Sequence, residues 1–403
     1  MPQDKEFQTV YNQIRLLKGR GVNLLNIQET KKHLMDKSYF NLINGFETLL
    51  LKDPKNPPKA YMDTYFQDFL DLYEFDMQLA SKIFSKISEF ETKLKTAIAY
   101  HFSKNHCSTL ADNNNYIDIN FYNIPGKTDG PAEYVNHFKK HRLFRDNYCF
   151  EGNFRGTFNG SVYKNPKKNT TILNGNFVGK FGTTPIREIN IGTITLKNNS
   201  KNAALLKQIN TLMSGSNTTI SGSLTIKNGK IFGLTYIDDC KIKFNYIKEY
   251  KNPPFWVAIK PLMMNDLLVL LYGLDKKTFD GVLKNFGLKP TEKVKFLNSI
   301  AIIKDLRNTC AHFELVNRFR TSNKTPINQH LISELKLTTL RSQYVIRLYD
   351  TLKILNIYVD LSNVKEYVYE FYNDLCSRGK EGLGIKLIDR MGNSNINEWN
   401  LIN

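Results

Sequence analysis

Leu72, Phe75, Leu79, Ile83, Ile87, Phe90, Leu94 and Ile98 recur at steps of three and four residues, an apolar stripe about seven turns long. An amphipathic helix of that length needs other elements to cover its apolar face, so the rest of the fold must be built around it. The spacing predicts one long core helix across residues 61–102. Asp71, Glu74, Asp76, Glu89, Glu91, Lys93 and Lys95 stand between the stripe positions and read as its solvated side. His101, His106 and Cys107 gather at its end, where a helix C-terminus favouring cationic histidine explains them better than a metal set.

Helical signals flank this element. Lys18-Gly19-Arg20-Gly21-Val22 breaks one helix, Ile27-Gln28-Glu29-Thr30 leads into another, and Tyr39, Phe40, Ile43 and Phe46 form a short stripe. Three prolines, Pro54, Pro57 and Pro58, make the following segment a loop. From about Tyr148 the period changes. Phe150, Gly152, Phe154, Gly156, Phe158, Gly160 and Val162 occupy alternate positions, which is strand spacing. The heptapeptide Gly152-Asn153-Phe154-Arg155-Gly156-Thr157-Phe158 recurs 23 residues later as Gly175-Asn176-Phe177-Val178-Gly179-Lys180-Phe181. Alternating runs at 189–196 and 224–236 complete an inserted antiparallel β domain, a small sandwich or barrel. Its Lys164, Lys167, Lys168 and Lys180 suit nucleic acid and ordinary solvent about equally. Helical spacing returns after Pro253-Pro254, with helices expected at 262–274 and 283–288. Further helical spacing follows along Leu340, Tyr344, Leu348, Leu352 and Leu355, and at 364–375. The expected organisation is mainly α, a helical bundle interrupted by β: a helical part at 1–147, a β-rich domain at 148–248 and a helical part at 249–403.

The formal charge of +18 points to a polyanionic partner, and RNA is the leading candidate. No apolar run approaches the length that spans a bilayer, so no membrane partner is expected. The five cysteines are scattered and suggest neither a disulfide framework nor a metal site. With no apolar signal core at the start of the sequence, a cytoplasmic location is expected.

The stretch 300–319, IAIIKDLRNTCAHFELVNRF, carries the chemistry. Phe296, Ile300, Ile303, Leu306, Cys310 and Phe313 give it a helical stripe. On that helix Asn308 and His312 lie four apart, where the amide could orient the imidazole. Arg307 stands beside them. A neutral imidazole can take the proton of a ribose 2′-hydroxyl, and a guanidinium can hold the phosphate as charge develops, with no metal required. The plainer reading of the same spacing is a core histidine near a helix end and an arginine in a surface ion pair.

Several pieces together resemble the Abi-like abortive-infection proteins of bacteria, of the AbiD/AbiF type. They are Leu17-Lys18-Gly19-Arg20-Gly21, Asp71-Leu72-Tyr73-Glu74-Phe75-Asp76, Glu91-Thr92-Lys93-Leu94-Lys95 and Pro254-Phe255-Trp256-Val257. Leu306-Arg307-Asn308-Thr309-Cys310-Ala311-His312 and Met391-Gly392 with Trp399 complete the set, over roughly 1–143 and 250–400. The resemblance implies a HEPN-type helical core whose arginine-x4-histidine motif is a metal-independent ribonuclease site, assembled across a homodimer, acting in phage defence. Arg307, Asn308 and His312 are then the catalytic candidates and Lys304, Arg318 and Arg320 the RNA-binding ones, with no metal or cofactor. A partner small RNA or a phage protein as trigger also belongs to this picture. Two departures stand out: the β segment near 145–248 lies outside the family pattern, and the Glu91-to-Lys95 segment has lysine where the family often has arginine.

Three readings follow. The first is an endoribonuclease that leaves a 2′,3′-cyclic phosphate and a 5′-hydroxyl. The second is an RNA-binding protein whose motif grips without cutting. In the third, the β insertion senses a phage protein and the helical part is the effector.

Overall fold

The computed structural model describes residues 6–61, 63–181, 184–213, 219–339 and 345–402. Two compact units divide the chain, Met1–Thr92 with Thr291–Asn403, and Lys93–Pro290. These divisions fall at other places than the compositional change at 148, which lies inside the second unit.

The first unit opens with α1 (Val10–Gly19), the two-residue β1 (Val22–Asn23), α2 (Ile27–Lys37) and α3 (Glu47–Leu50). The short β2 (Thr64–Tyr65) pairs in parallel with β1. Then comes α4 (Phe66–His106), the long helix that the stripe predicts. All eight stripe residues are fully or almost fully buried.

Crossing into the second unit, α4 is followed by α5 (Ala132–Val135) and four antiparallel strands. These are β3 (Tyr148–Asn165), β4 (Thr170–Phe181), β5 (Thr184–Lys197) and β6 (Thr219–Leu234), which close into a barrel in that order. The fold is thus mainly α with an antiparallel β part, as the two periodicities predict.

The repeated heptapeptides face each other across β3 and β4. Gly156 lies opposite Gly179, Gly160 opposite Gly175, and Phe158 opposite Phe177. A Cβ on Gly156 would strike the Val178 carbonyl oxygen, and one on Gly179 the Arg155 carbonyl oxygen. The repeat is therefore a matched pair, in which glycines let two backbones approach closely while Phe158 and Phe177 fill the barrel interior. Between β5 and β6 the chain forms α6 (Ala203–Leu212), a helix in a segment whose composition predicts only β structure. Leu205 and Ile209 of α6 bury themselves in the barrel core beside Leu224 and Ile220.

After the barrel come α7 (Tyr236–Lys243), α8 (Asn245–Lys248), α9 (Phe255–Ala258), α10 (Met264–Tyr272) and α11 (Lys276–Asn285). The last of these starts earlier than the 283–288 expected, because Asp275 caps it by accepting from the Thr278 amide. Back in the first unit, α12 (Lys293–Ala311), α13 (Gln329–Leu335), α14 (Leu348–Asn356), α15 (Ser362–Ser377) and α16 (Glu381–Met391) finish the chain. Leu340 and Tyr344, read as the start of the α14 stripe, lie outside the described residues. Phe75 of α4 stacks on Phe371 of α15 with ring centres 4.2 Å apart, and Phe90 and Phe296 both meet Tyr358. Among the described residues no helix is long and apolar enough to cross a membrane.

Candidate active site at the end of helix α12

Phe296, Ile300, Ile303, Leu306 and Cys310 are buried, so the stripe holds α12 in the first unit through its last turn. Phe313 departs from it and is 77% exposed. The helix has ended by then. His312 is the C-cap, and Phe313 adopts a left-handed φ of 56°. The Phe313 amide donates to the Cys310 carbonyl at 3.3 Å and the Glu314 amide to Thr309 at 3.1 Å, the paired bonds of a Schellman ending. That position usually holds glycine. A bulky aromatic there is strained by about 1 kcal/mol or more.

Four of the candidate residues lie along the last turns of α12 and its cap. Lys304, Asn308 and His312 follow at four-residue steps along one face of α12 and its cap. Asn308 and His312 are exposed, while Lys304 and Arg307 are half-buried. The guanidinium carbon of Arg307 sits 5.8 Å from the centre of the Phe84 ring on α4. Its Nε is buried with no hydrogen-bond partner, and among the described residues no carboxylate pairs with it. The surface ion pair of the plainer reading is therefore not made. Neither is a side-chain bond between Asn308 and His312: among the described residues, neither side chain has a hydrogen-bond partner.

The two remaining candidates lie beyond the turn. Arg318 donates from Nη2 to the Asn44 carbonyl at 2.6 Å. Its guanidinium thus ties two segments of the first unit together, while the residue stays exposed. Arg320 is exposed, and its backbone bridges to Arg347.

What fixes the turn is a buried cluster that the helical pattern hid. Asp76, on α4, has no exposed surface. It accepts from the Val316 amide at 2.9 Å, the Asn317 amide at 2.7 Å and the Asn317 Nδ2 at 2.7 Å. Arg390, on α16, donates to the Asn317 Oδ1 at 3.3 Å and to the Gly45 carbonyl at 3.2 Å. Burial raises the Asp76 carboxyl to about 6, against the lowering effect of these bonds and of Arg390. Burial likewise lowers Arg390 to about 10, with the nearby Arg318 adding to the effect. Asp76 was expected among the solvated charges. Its spacing contained the signal, four residues after Leu72 and three before Leu79, which puts a carboxylate inside the apolar stripe.

In the second unit the histidines at the end of α4 have specific partners. His106 meets the Asp275 carboxylate at 2.8 Å and His101 the Asn285 amide oxygen at 3.0 Å, both from α11 or its cap. Cys107 donates to the Asp112 carbonyl. Among the described residues no three or more His, Cys, Asp or Glu side chains assemble as a metal set.

The sequence pattern of the family described as Abi-like protein matches residues 32–171 and 194–316. The chain belongs to the Abi-like family. That match corrects the expectation about the β part: it runs through β3 and β6 and omits only residues 172–193 between its two segments. The Abi-like match contains Asp76, Arg307, His312 and Val316. Leu17-Lys18-Gly19-Arg20-Gly21 and the Met391, Gly392 and Trp399 tail lie outside it. Membership suggests a role in abortive infection, a form of phage defence. No curated protein and no solved structure matches the chain.

Proposed function

We propose that this Abi-like protein is a metal-independent endoribonuclease of the HEPN type acting in phage defence. The observation that supports it most is the end of α12. There a guanidinium with no carboxylate partner among the described residues and an exposed imidazole stand five residues apart, beside a turn anchored by a buried cluster. Arg307 binds the scissile phosphate and stabilises its charge as the five-coordinate phosphorus forms. His312 takes the proton of the adjacent 2′-hydroxyl, whose oxygen attacks phosphorus. The bond from phosphorus to the 5′-oxygen breaks, and that oxygen leaves after receiving a proton. The products are a 2′,3′-cyclic phosphate and a 5′-hydroxyl. One imidazole cannot serve as base and acid in the same instant, so a second His312 from a homodimeric partner supplies the leaving-group proton. Asn308 orients the imidazole once RNA is bound, and the Phe313 ring offers a base a stacking face.

A second reading is an RNA-binding protein whose motif does not cut. The missing bond between Asn308 and His312 favours it, since an unoriented imidazole is a poor general base. Terminal chemistry separates the two. RNA from cells in which the protein has been triggered should carry new 2′,3′-cyclic phosphate ends, which are absent with His312→Ala. Phage protection that persists undiminished in His312→Ala cells would support the second reading instead.

A further inference from the structure

The barrel carries half of the chain's net charge. Between Tyr148 and Leu234 there are eleven Lys and Arg against two acidic residues, Glu151 and Glu188, a net +9 out of +18. The excess is also directional. Lys164 is the penultimate residue of β3, Lys167 and Lys168 lie in the turn to β4, and Lys197 ends β5 opposite Thr170. Lys207 projects from α6. All five are exposed, and none belongs to an ion pair among the described residues. Neither 163–171 nor 195–212 contains a carboxylate. Glu151 sits fourteen residues before Asn165 on the same strand, about 46 Å along it at the usual strand rise.

The end of the barrel is a built surface. The Asn198 amide donates to the Asn169 carbonyl at 3.0 Å, the Asn169 side chain returns a bond to the Asn198 carbonyl, and Thr171 donates to the Asn198 side chain. Lys164 donates to Asn210 of α6 at 2.9 Å. Tyr163, 58% exposed, is a large aromatic standing among these lysines.

We propose that this pole of the barrel is an RNA-binding surface separate from the end of α12. Lys164, Lys167, Lys168 and Lys197 hold the phosphate backbone of a single strand, and Tyr163 stacks on one of its bases. A membrane fits less well. Docking on lipid needs an apolar face as well as cations, and the exposed large apolar side chains described on the barrel strands are Tyr163 and Val178. The proposal concerns binding, so it stands or falls apart from whether the α12 motif cuts RNA.

The test uses the full-length His312→Ala protein and a labelled single-stranded RNA of about 20 nucleotides, with affinity measured by anisotropy across a salt series. Changing Lys164, Lys167, Lys168 and Lys197 to Glu should weaken binding tenfold or more. It should also flatten the log-log salt slope by roughly 3, at about 0.7 for each phosphate that the protein no longer neutralises. A control with the same charge change elsewhere in the unit, Lys127, Lys139, Lys276 and Lys277 to Glu, should do far less. The Gln versions of the four barrel positions, with unfolding midpoint measured alongside, separate a binding defect from a folding defect. Equal weakening by both sets would overturn the proposal, as would unchanged binding by the barrel set. Vesicles of phosphatidylserine and phosphatidylcholine provide the remaining arm. Lysine-dependent capture by them, with RNA affinity unmoved, would also overturn it.

Discussion

Asp76 and Phe313 show how single residues fix the end of α12. The Asp76 carboxyl is raised to about 6 from an ordinary 3.8, so the folded chain holds its proton more tightly than the unfolded chain. The stability it contributes is complete below about pH 4 and declines as pH rises through 6, by about 3 kcal/mol at 1.36 kcal/mol per pH unit. The stability difference between wild type and Asp76→Asn should therefore shrink by that order between pH 4 and pH 7, in denaturant titrations at matched salt. A constant difference would show that burial does not dominate this carboxyl. Removing it outright is harsher. Asp76→Ala leaves two buried amides, the Asn317 side chain and Arg390 without their acceptor or counter-charge, a loss of about 3–5 kcal/mol. Phe313→Gly works in the other direction: relief of the left-handed φ should raise stability by about 1 kcal/mol or less, since glycine also frees the unfolded chain. The same change should weaken RNA binding if the ring stacks on a base. A lowered melting temperature would show that the ring supports the fold.

Regular elements were legible in the sequence wherever one period ran long enough to exclude another. The α4 stripe, the α12 stripe and the alternation in β3 are such cases, and α4, α12 and β3 all form. Shorter or mixed signals were not. Leu205, Ile209 and Leu212 have helical spacing, but they sit in a segment surrounded by Asn, Ser and Gly, and only the barrel core they cover makes α6 necessary. Asp76 escaped because a charge within a stripe looks like an interruption until the groups it bonds are in place. Phe313 escaped because periodicity does not mark where a helix stops. The Arg307, Asn308 and His312 motif was legible as spacing, while the lack of a carboxylate partner for Arg307 among the described residues needed the fold. The paired glycines of β3 and β4 give a prediction at this scale. Gly156→Ala forces a methyl group into the Val178 carbonyl and should cost about 3 kcal/mol or more, since the facing backbone has little room to retreat. Amide exchange should then rise across β3 and β4. Unchanged protection there would show that the strands can separate without loss.

Across the whole chain, two features carry the proposals: an arginine-histidine motif at one helix end in the first unit, and a basic barrel in the second. The central claim is that the motif cuts RNA with its own side chains. The most direct measurement incubates purified protein with end-labelled RNA in EDTA, beside Arg307→Ala and His312→Ala, over a time course. Wild type should cleave and leave 2′,3′-cyclic phosphate ends. Each variant should be slowed at least a hundredfold, the lower end of what a general base or a transition-state charge stabiliser contributes. Cleavage by His312→Ala at the wild-type rate would contradict the account.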